Sequence, residues 1–78
     1  MSDMKYTIEY IARRLVQDPD AVRVRELPGV NATIIELSVA PDDMGRVIGK
    51  GGQVVNALRT LLGIVAAKQG KRVMLEIV

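Results

Sequence analysis

Apolar residues recur along this chain in two rhythms, and each change of rhythm marks a new element. Residues 4–17 carry Met4, Ile8, Ile11, Ala12, Leu15 and Val16 at helical spacing. Lys5, Glu9 and Arg13 form a polar stripe on the opposite side, spaced for favourable i,i+4 pairs. Asp3 stands where a helix cap belongs, and Asp18-Pro19 stops the helix. From Ala21 to Leu27 the period falls to two, with Val22 and Val24 on one side and Arg23 and Arg25 on the other. Pro28-Gly29-Val30-Asn31 is turn chemistry, after which Ala32 to Ala40 alternates again, with Ile35, Leu37 and Val39 sharing a face. The two runs predict an antiparallel hairpin.

A short helix is predicted from about Asp42 to Ile48, and a long one from Gln53 to Gln69. Val54, Leu58, Leu61, Leu62 and Val65 make the buried stripe of the long helix. Ile64, Ala66 and Ala67 are apolar beyond that stripe; they either pack on the sheet or mark a dimer surface. Gly70 sits where a C-terminal cap belongs, and Arg72 to Val78 alternates with Val73, Leu75 and Ile77 inward. A strand that returns through a helical crossover lies parallel to its neighbour. The pattern therefore predicts an α+β fold of order α-β-β-α-α-β, with a three-stranded mixed sheet and three helices packed on one face.

Composition narrows the chemistry. The 78 residues contain no cysteine and no histidine, which removes disulfides, thiolate metal sites and the commonest general base. No carboxylate cluster suggests a metal, since Asp42 and Asp43 read as helix-start residues; no catalytic residue, metal or cofactor is expected. Hydrophobic residues make up 49% of the chain, enough for an aliphatic core in one small domain. The longest apolar run, Leu61 to Ala67, is too short to span a bilayer, and Met1 to Lys5 lacks the features of a signal peptide. A soluble, cytoplasmic protein is the expectation. Charge is unevenly placed: residues 1–43 carry five basic and eight acidic side chains (net −3), residues 44–78 six basic and one acidic (net +5).

The basic half contains the densest chemistry, Gly45-Arg46-Val47-Ile48-Gly49-Lys50-Gly51-Gly52. Gly49-Lys50-Gly51-Gly52 reads as a tight loop between two helices, with backbone N–H groups and a lysine facing the start of the second. Such a loop suits a phosphate. It is not a nucleotide P-loop: Gly45 and Gly49 enclose only three residues, and Gly51 replaces the magnesium-binding hydroxyl. Nor is it a dinucleotide fingerprint, because Val54 stands where a third glycine is needed. Elsewhere, Leu27-Pro28-Gly29-Val30 resembles the hairpin of a helix-hairpin-helix DNA binder, but Asn31 replaces its second glycine and both flanks read as strands.

The stretch Val47-Ile48-Gly49-Lys50-Gly51-Gly52, set between a short and a long helix in this element order, resembles the KH domain of type II. The resemblance extends over residues 1–78 as a single KH domain. Leu15 to Val22 and Asn56 to Thr60 are similar to the small bacterial KH proteins of the KhpA type. It implies non-enzymatic binding of single-stranded RNA, with the Gly-x-x-Gly loop clamping the backbone of about four nucleotides. On that reading Gly49 and Gly52 permit the turn, Lys50 supplies charge, Gly51 keeps the loop slim, and Arg46 and Arg59 flank it. Val47, Ile48, Val55 and Ile35 are candidates for an aliphatic groove floor; singly, each also reads as core, and Arg59 as a solvated helix residue.

With no Phe or Trp, and with Tyr6 and Tyr10 on the first helix, binding by aromatic stacking is not expected. The short Gln69-Gly70-Lys71 connection leaves little surface to wrap RNA. The family likeness implies an RNA chaperone or post-transcriptional regulator, and a homodimer or a heterodimer with a larger Jag/KhpB-type KH protein. The alternative is a protein-pairing module in which RNA binding is incidental.

Overall fold

The computed structural model describes residues 3–78; the reading of Met1 and Ser2 lies outside the described residues. Helix α1 spans Asp3–Leu15, strands β1 and β2 span Arg23–Pro28 and Thr33–Ser38, helices α2 and α3 span Met44–Ile48 and Gln53–Lys68, and β3 spans Val73–Ile77. The three strands form one sheet in the order β1-β2-β3. β1 runs antiparallel to β2, from Arg23 opposite Ser38 to Pro28 opposite Thr33. β3 returns through the helices and pairs parallel with β2, from Thr33 beside Val73 to Leu37 beside Ile77. The mixed sheet and the α-β-β-α-α-β order are those the residue pattern predicts.

One face of the sheet supplies Val24, Ile35, Leu37 and Leu75 to the core. The helices close over it with Met4, Ile8 and Ala12 of α1, Val47 of α2, and Val55, Leu58, Leu62 and Ala66 of α3. The other face carries the alternate residues, including Arg25 and Glu36, whose side chains pair at 3.5 Å across the two strands. A Schellman turn ends α3: the Gly70 N–H donates to the Ala67 carbonyl at 3.1 Å and the Lys71 N–H to the Ala66 carbonyl at 2.8 Å. Gly70 takes the left-handed φ of 67° that this turn requires.

Three expectations shift. Leu61 is 44% exposed rather than buried. Adjacent helical residues diverge by about 100°, so Leu61 and Leu62 cannot both face the sheet, and Leu62 occupies that place with Val55 and Ala66. Asp3 lies within the first turn of α1, where its carboxylate accepts from the Gln69 Nε2 at 3.2 Å and so ties α1 to the end of α3. The third shift concerns Asp43, which is 2% exposed. Its carboxylate accepts the backbone N–H groups of Gln17, at 3.0 Å, and Asp18, at 3.1 Å. Those two amides therefore leave the helical ladder, and α1 stops at Leu15, before the predicted end. A carboxylate at the head of α2 thus fastens the tail of α1.

Because those bonds involve a buried charge, Asp43→Ala should lower stability by about 2–3 kcal/mol. Exposed Asp42→Ala should change it by no more than about 0.5 kcal/mol. Urea unfolding of both variants checks this, and equal effects would return Asp43 to an ordinary helix-start role.

Candidate nucleic-acid interface

Helix α2 ends because Gly49 adopts φ 78° and ψ 170°, a region open in practice only to glycine. Its N–H still closes the helix onto the Gly45 carbonyl at 2.9 Å. Lys50 to Gly52 form a single tight turn, with the Gly52 N–H on the Gly49 carbonyl at 3.1 Å. Gly51 and Gly52 have φ of 64° and 78°, both left-handed. The chain then enters α3.

The three glycines are needed for different reasons. A Cβ on Gly49 would lie 2.5 Å from the Val54 Cγ2 and 2.8 Å from the Val54 nitrogen, so backbone and side chain of α3 both exclude it. A Cβ on Gly51 would meet nothing within 4 Å; only its φ favours glycine there. Beside Gly52 lies Asn56, whose Nδ2 is 3.7 Å from the position of an added Cβ.

Lys50 is exposed at the tip of this turn. Among the described residues, the Lys50 and Gly51 amides have no carbonyl partner, and both belong to the same tight turn as the exposed lysine. Arg46 is more constrained than its sequence position suggests: its Nε lies 3.4 Å from the Asp43 Oδ1. That pairing holds the guanidinium beside the loop and offsets part of its charge.

From the loop a polar line continues along α3. Asn56 follows Gly52 by one turn, and its Oδ1 accepts from the Arg59 Nη1 at 3.3 Å. The Arg59 Nη2 reaches across to the Leu75 carbonyl of β3 in a long 3.5 Å contact. Under this bridge lies a groove of about 330 Å³ lined by Arg59, Leu62, Val73, Met74 and Leu75. Arg59 is seven residues beyond Gly52, so groove and loop are separated by roughly 10 Å along the helix axis.

Loop and groove thus lie on one flank of α3. Ile48, at 36% exposure, borders the loop, as the sequence reading allows. Val47 and Ile35 are fully buried and Val55 is 7% exposed, so these three support the site from the core and offer it no surface. The apolar walls come instead from β3, above all Met74, which is 55% exposed. Sequence reasoning missed that wall and Asn56, although the alternation of β3 marks Met74 as outward and the parallel crossover sets β3 next to α3.

A short helix, a Gly-x-x-Gly turn and a long helix on a sheet of this topology define a KH-like fold of type II order. The family model described as "KhpA/KhpB, KH domain" matches residues 5–77, and the chain belongs to that family. It is 49% identical over 75 residues to the RNA-binding protein KhpA of Clostridium acetobutylicum, covering 96% of this chain and 100% of that one. With the RNA-binding protein KhpA of Aquifex aeolicus it shares 48% identity over 77 residues, covering 99% of this chain and 98% of the relative. Among solved structures, Aquifex aeolicus Era bound to GDP and aluminium fluoride superposes with a TM-score of 0.64 at 22% identity, over 95% of this chain and 29% of Era. That likeness bears on the fold alone.

The two loop glycines should separate cleanly. Gly51→Ala should cost about 1–2 kcal/mol, the penalty of a left-handed alanine. Gly49→Ala should cost more, because Val54 must also be displaced. Thermal unfolding of the two variants tests the order; an equal or reversed ranking would contradict the close approach of Gly49 to α3.

Proposed function

We propose that residues 1–78 act as a single KH domain that binds single-stranded RNA, with the Gly49–Gly52 loop on the phosphates and the α3–β3 groove receiving bases. The observation that carries this reading is the joint placement of Lys50, the free loop amides and an apolar groove on one flank of α3. Gly49, Gly51 and Gly52 let the RNA backbone approach without side-chain obstruction, and Lys50 supplies a point charge. Arg46, steadied by Asp43, and Arg59, steadied by Asn56, border the path as secondary cations. Ile48 adds an apolar edge, while Val47 and Val55 act from beneath. The names of the curated relatives support RNA as the ligand.

This function calls for no catalytic group, metal or cofactor, and the cytoplasm is the compartment proposed for it. Roughly two to four phosphates neutralised would give a salt slope of about −0.7 for each. Modest, sequence-tolerant affinity of that kind suits an RNA chaperone or a post-transcriptional regulator.

A second reading concerns pairing. Leu61 and Ile64 are 44% and 53% exposed on the side of α3 away from the groove. They form an apolar surface for a second copy or a Jag/KhpB-type KH protein, and its position leaves the RNA path open.

Two measurements follow. Fluorescence anisotropy with a labelled single-stranded RNA should show salt-sensitive binding by the wild type and at least about tenfold weaker binding by the Lys50→Asp, Gly51→Asp pair, the affinity equivalent of 1.4 kcal/mol. Both should have the same circular dichroism, since the added Cβ at position 51 meets open space and aspartate tolerates a left-handed φ. Undiminished binding by the folded variant would remove the loop from the site. For pairing, sedimentation should show an associated wild type and a monomeric Leu61→Asp, Ile64→Asp variant that still binds RNA; a monomeric wild type would remove self-association.

A further inference from the structure

The sheet has a second face, turned away from the helices, and strand register sorts its side chains into rows. Leu27 stands beside Ile34 and Ile34 beside Met74, an apolar row across all three strands. One pleat along, Arg25 stands beside Glu36 and Glu36 beside Glu76, a charged row. Leu27 and Ile34 are half-buried, and Met74 is open to solvent. The charged row lacks one cation. Arg25 reaches Glu36 through its Nη1, and its side chain is 71% exposed. Glu76 is exposed and makes no ion pair among the described residues. Carboxylates in direct register on neighbouring strands repel each other, so a cation from outside the described residues would relieve the row.

A second copy of this chain carries that cation in the matching place. Two sheets stack face to face about 10 Å apart, and a two-fold axis between them can run across the strands or along β2. With the axis across the strands, each strand covers its own counterpart. Full overlap then puts Arg25 over Arg25 and Leu27 over Arg23. With the axis along β2, β1 of each copy covers β3 of the other, and every row keeps its level. Arg25 of the second copy then lies over Glu76, Leu27 over Met74, and Ile34 beside Ile34. Glu36 meets its own counterpart at the axis, where each is already paired with Arg25 of its own chain. Only the second axis makes both rows self-complementary, as an isologous contact requires.

We infer that the open face of the sheet is a docking surface for a second copy of this chain, held by two Arg25–Glu76 ion pairs and by the apolar rows packed on each other. It is separate from the Leu61 and Ile64 surface, which α3 carries in the helical layer, and it does not depend on RNA binding. The face measures roughly 14 Å by 20 Å, from strands about 4.8 Å apart with a rise of about 3.3 Å per residue. That is smaller than the roughly 800 Å² per partner of a stable complex. The contact is therefore weak and belongs to crowded conditions, above the concentrations at which α3 pairing is read. Met74 borders both this face and the α3–β3 groove, whereas the glycine loop stays outside it.

The test is sedimentation equilibrium of the Leu61→Asp, Ile64→Asp variant, in which the α3 surface is silenced, from micromolar to millimolar concentration. A monomer in dilute solution should become a dimer at the upper end. In that background Arg25→Glu and Glu76→Arg should each weaken the dimer at least about tenfold, equivalent to 1.4 kcal/mol. The two together should restore it, because the exchange rebuilds both ion pairs with reversed polarity. Arg25→Gln and Glu76→Gln, which add no like-charge contact to the fold, should weaken it in the same direction, and circular dichroism checks that every variant is folded. A chain monomeric throughout, a dimer indifferent to all of these changes, or a loss that the double exchange fails to recover in a folded protein would overturn the sheet-face dimer.

Discussion

Gly49 lies so close to the first turn of α3 that no side chain fits between them, and this single approach sets how α2 meets α3. Because the chain must turn there with φ 78° and ψ 170°, α2 ends at Ile48 and the next residues form a turn rather than another helical step. The turn carries Lys50 outward and leaves two amides without a carbonyl acceptor among the described residues. Its direction also lays α3 along β3, so that Arg59 spans to the Leu75 carbonyl and a groove remains beneath. Loop and groove are therefore consequences of one steric constraint.

Asp43 makes that arrangement rigid from the other side. A short helix of five residues has little stability of its own, and here its head is fastened to the end of α1 by two hydrogen bonds to a buried carboxylate. The same carboxylate steadies Arg46. One residue thus closes the core, ends α1 and positions a cation beside the glycine loop. The parallel crossover completes the frame, since it brings the C-terminal basic half of the chain back along the sheet and sets Lys71 and Arg72 at the start of β3.

The element order, the hairpin, the mixed sheet and the glycine turn were legible because each rests on local pattern. Period-two alternation identifies β1, β2 and β3, and Gly70 announces the end of α3. What pattern could not supply was long-range. Nothing near Asp43 indicates that its partners are Gln17 and Asp18, so it read as a helix-start residue. Leu61 and Leu62 are equally apolar, and only the direction of the sheet decides which is buried. Val47, Val55 and Ile35 looked eligible for a groove floor because aliphatic residues beside a loop read alike whether they face ligand or core. The exposed apolar wall of the groove instead belongs to β3, about twenty residues beyond the loop that directs attention elsewhere.

The most direct test of a joint loop-and-groove site is amide chemical-shift mapping during titration with a short single-stranded RNA. The account predicts that the largest changes fall on Lys50, Gly51, Gly52, Asn56, Arg59 and Met74, with Tyr6 and Tyr10 on the outer face of α1 unmoved. Changes centred on α1, or on Leu61 and Ile64, with the loop and β3 silent, would contradict it.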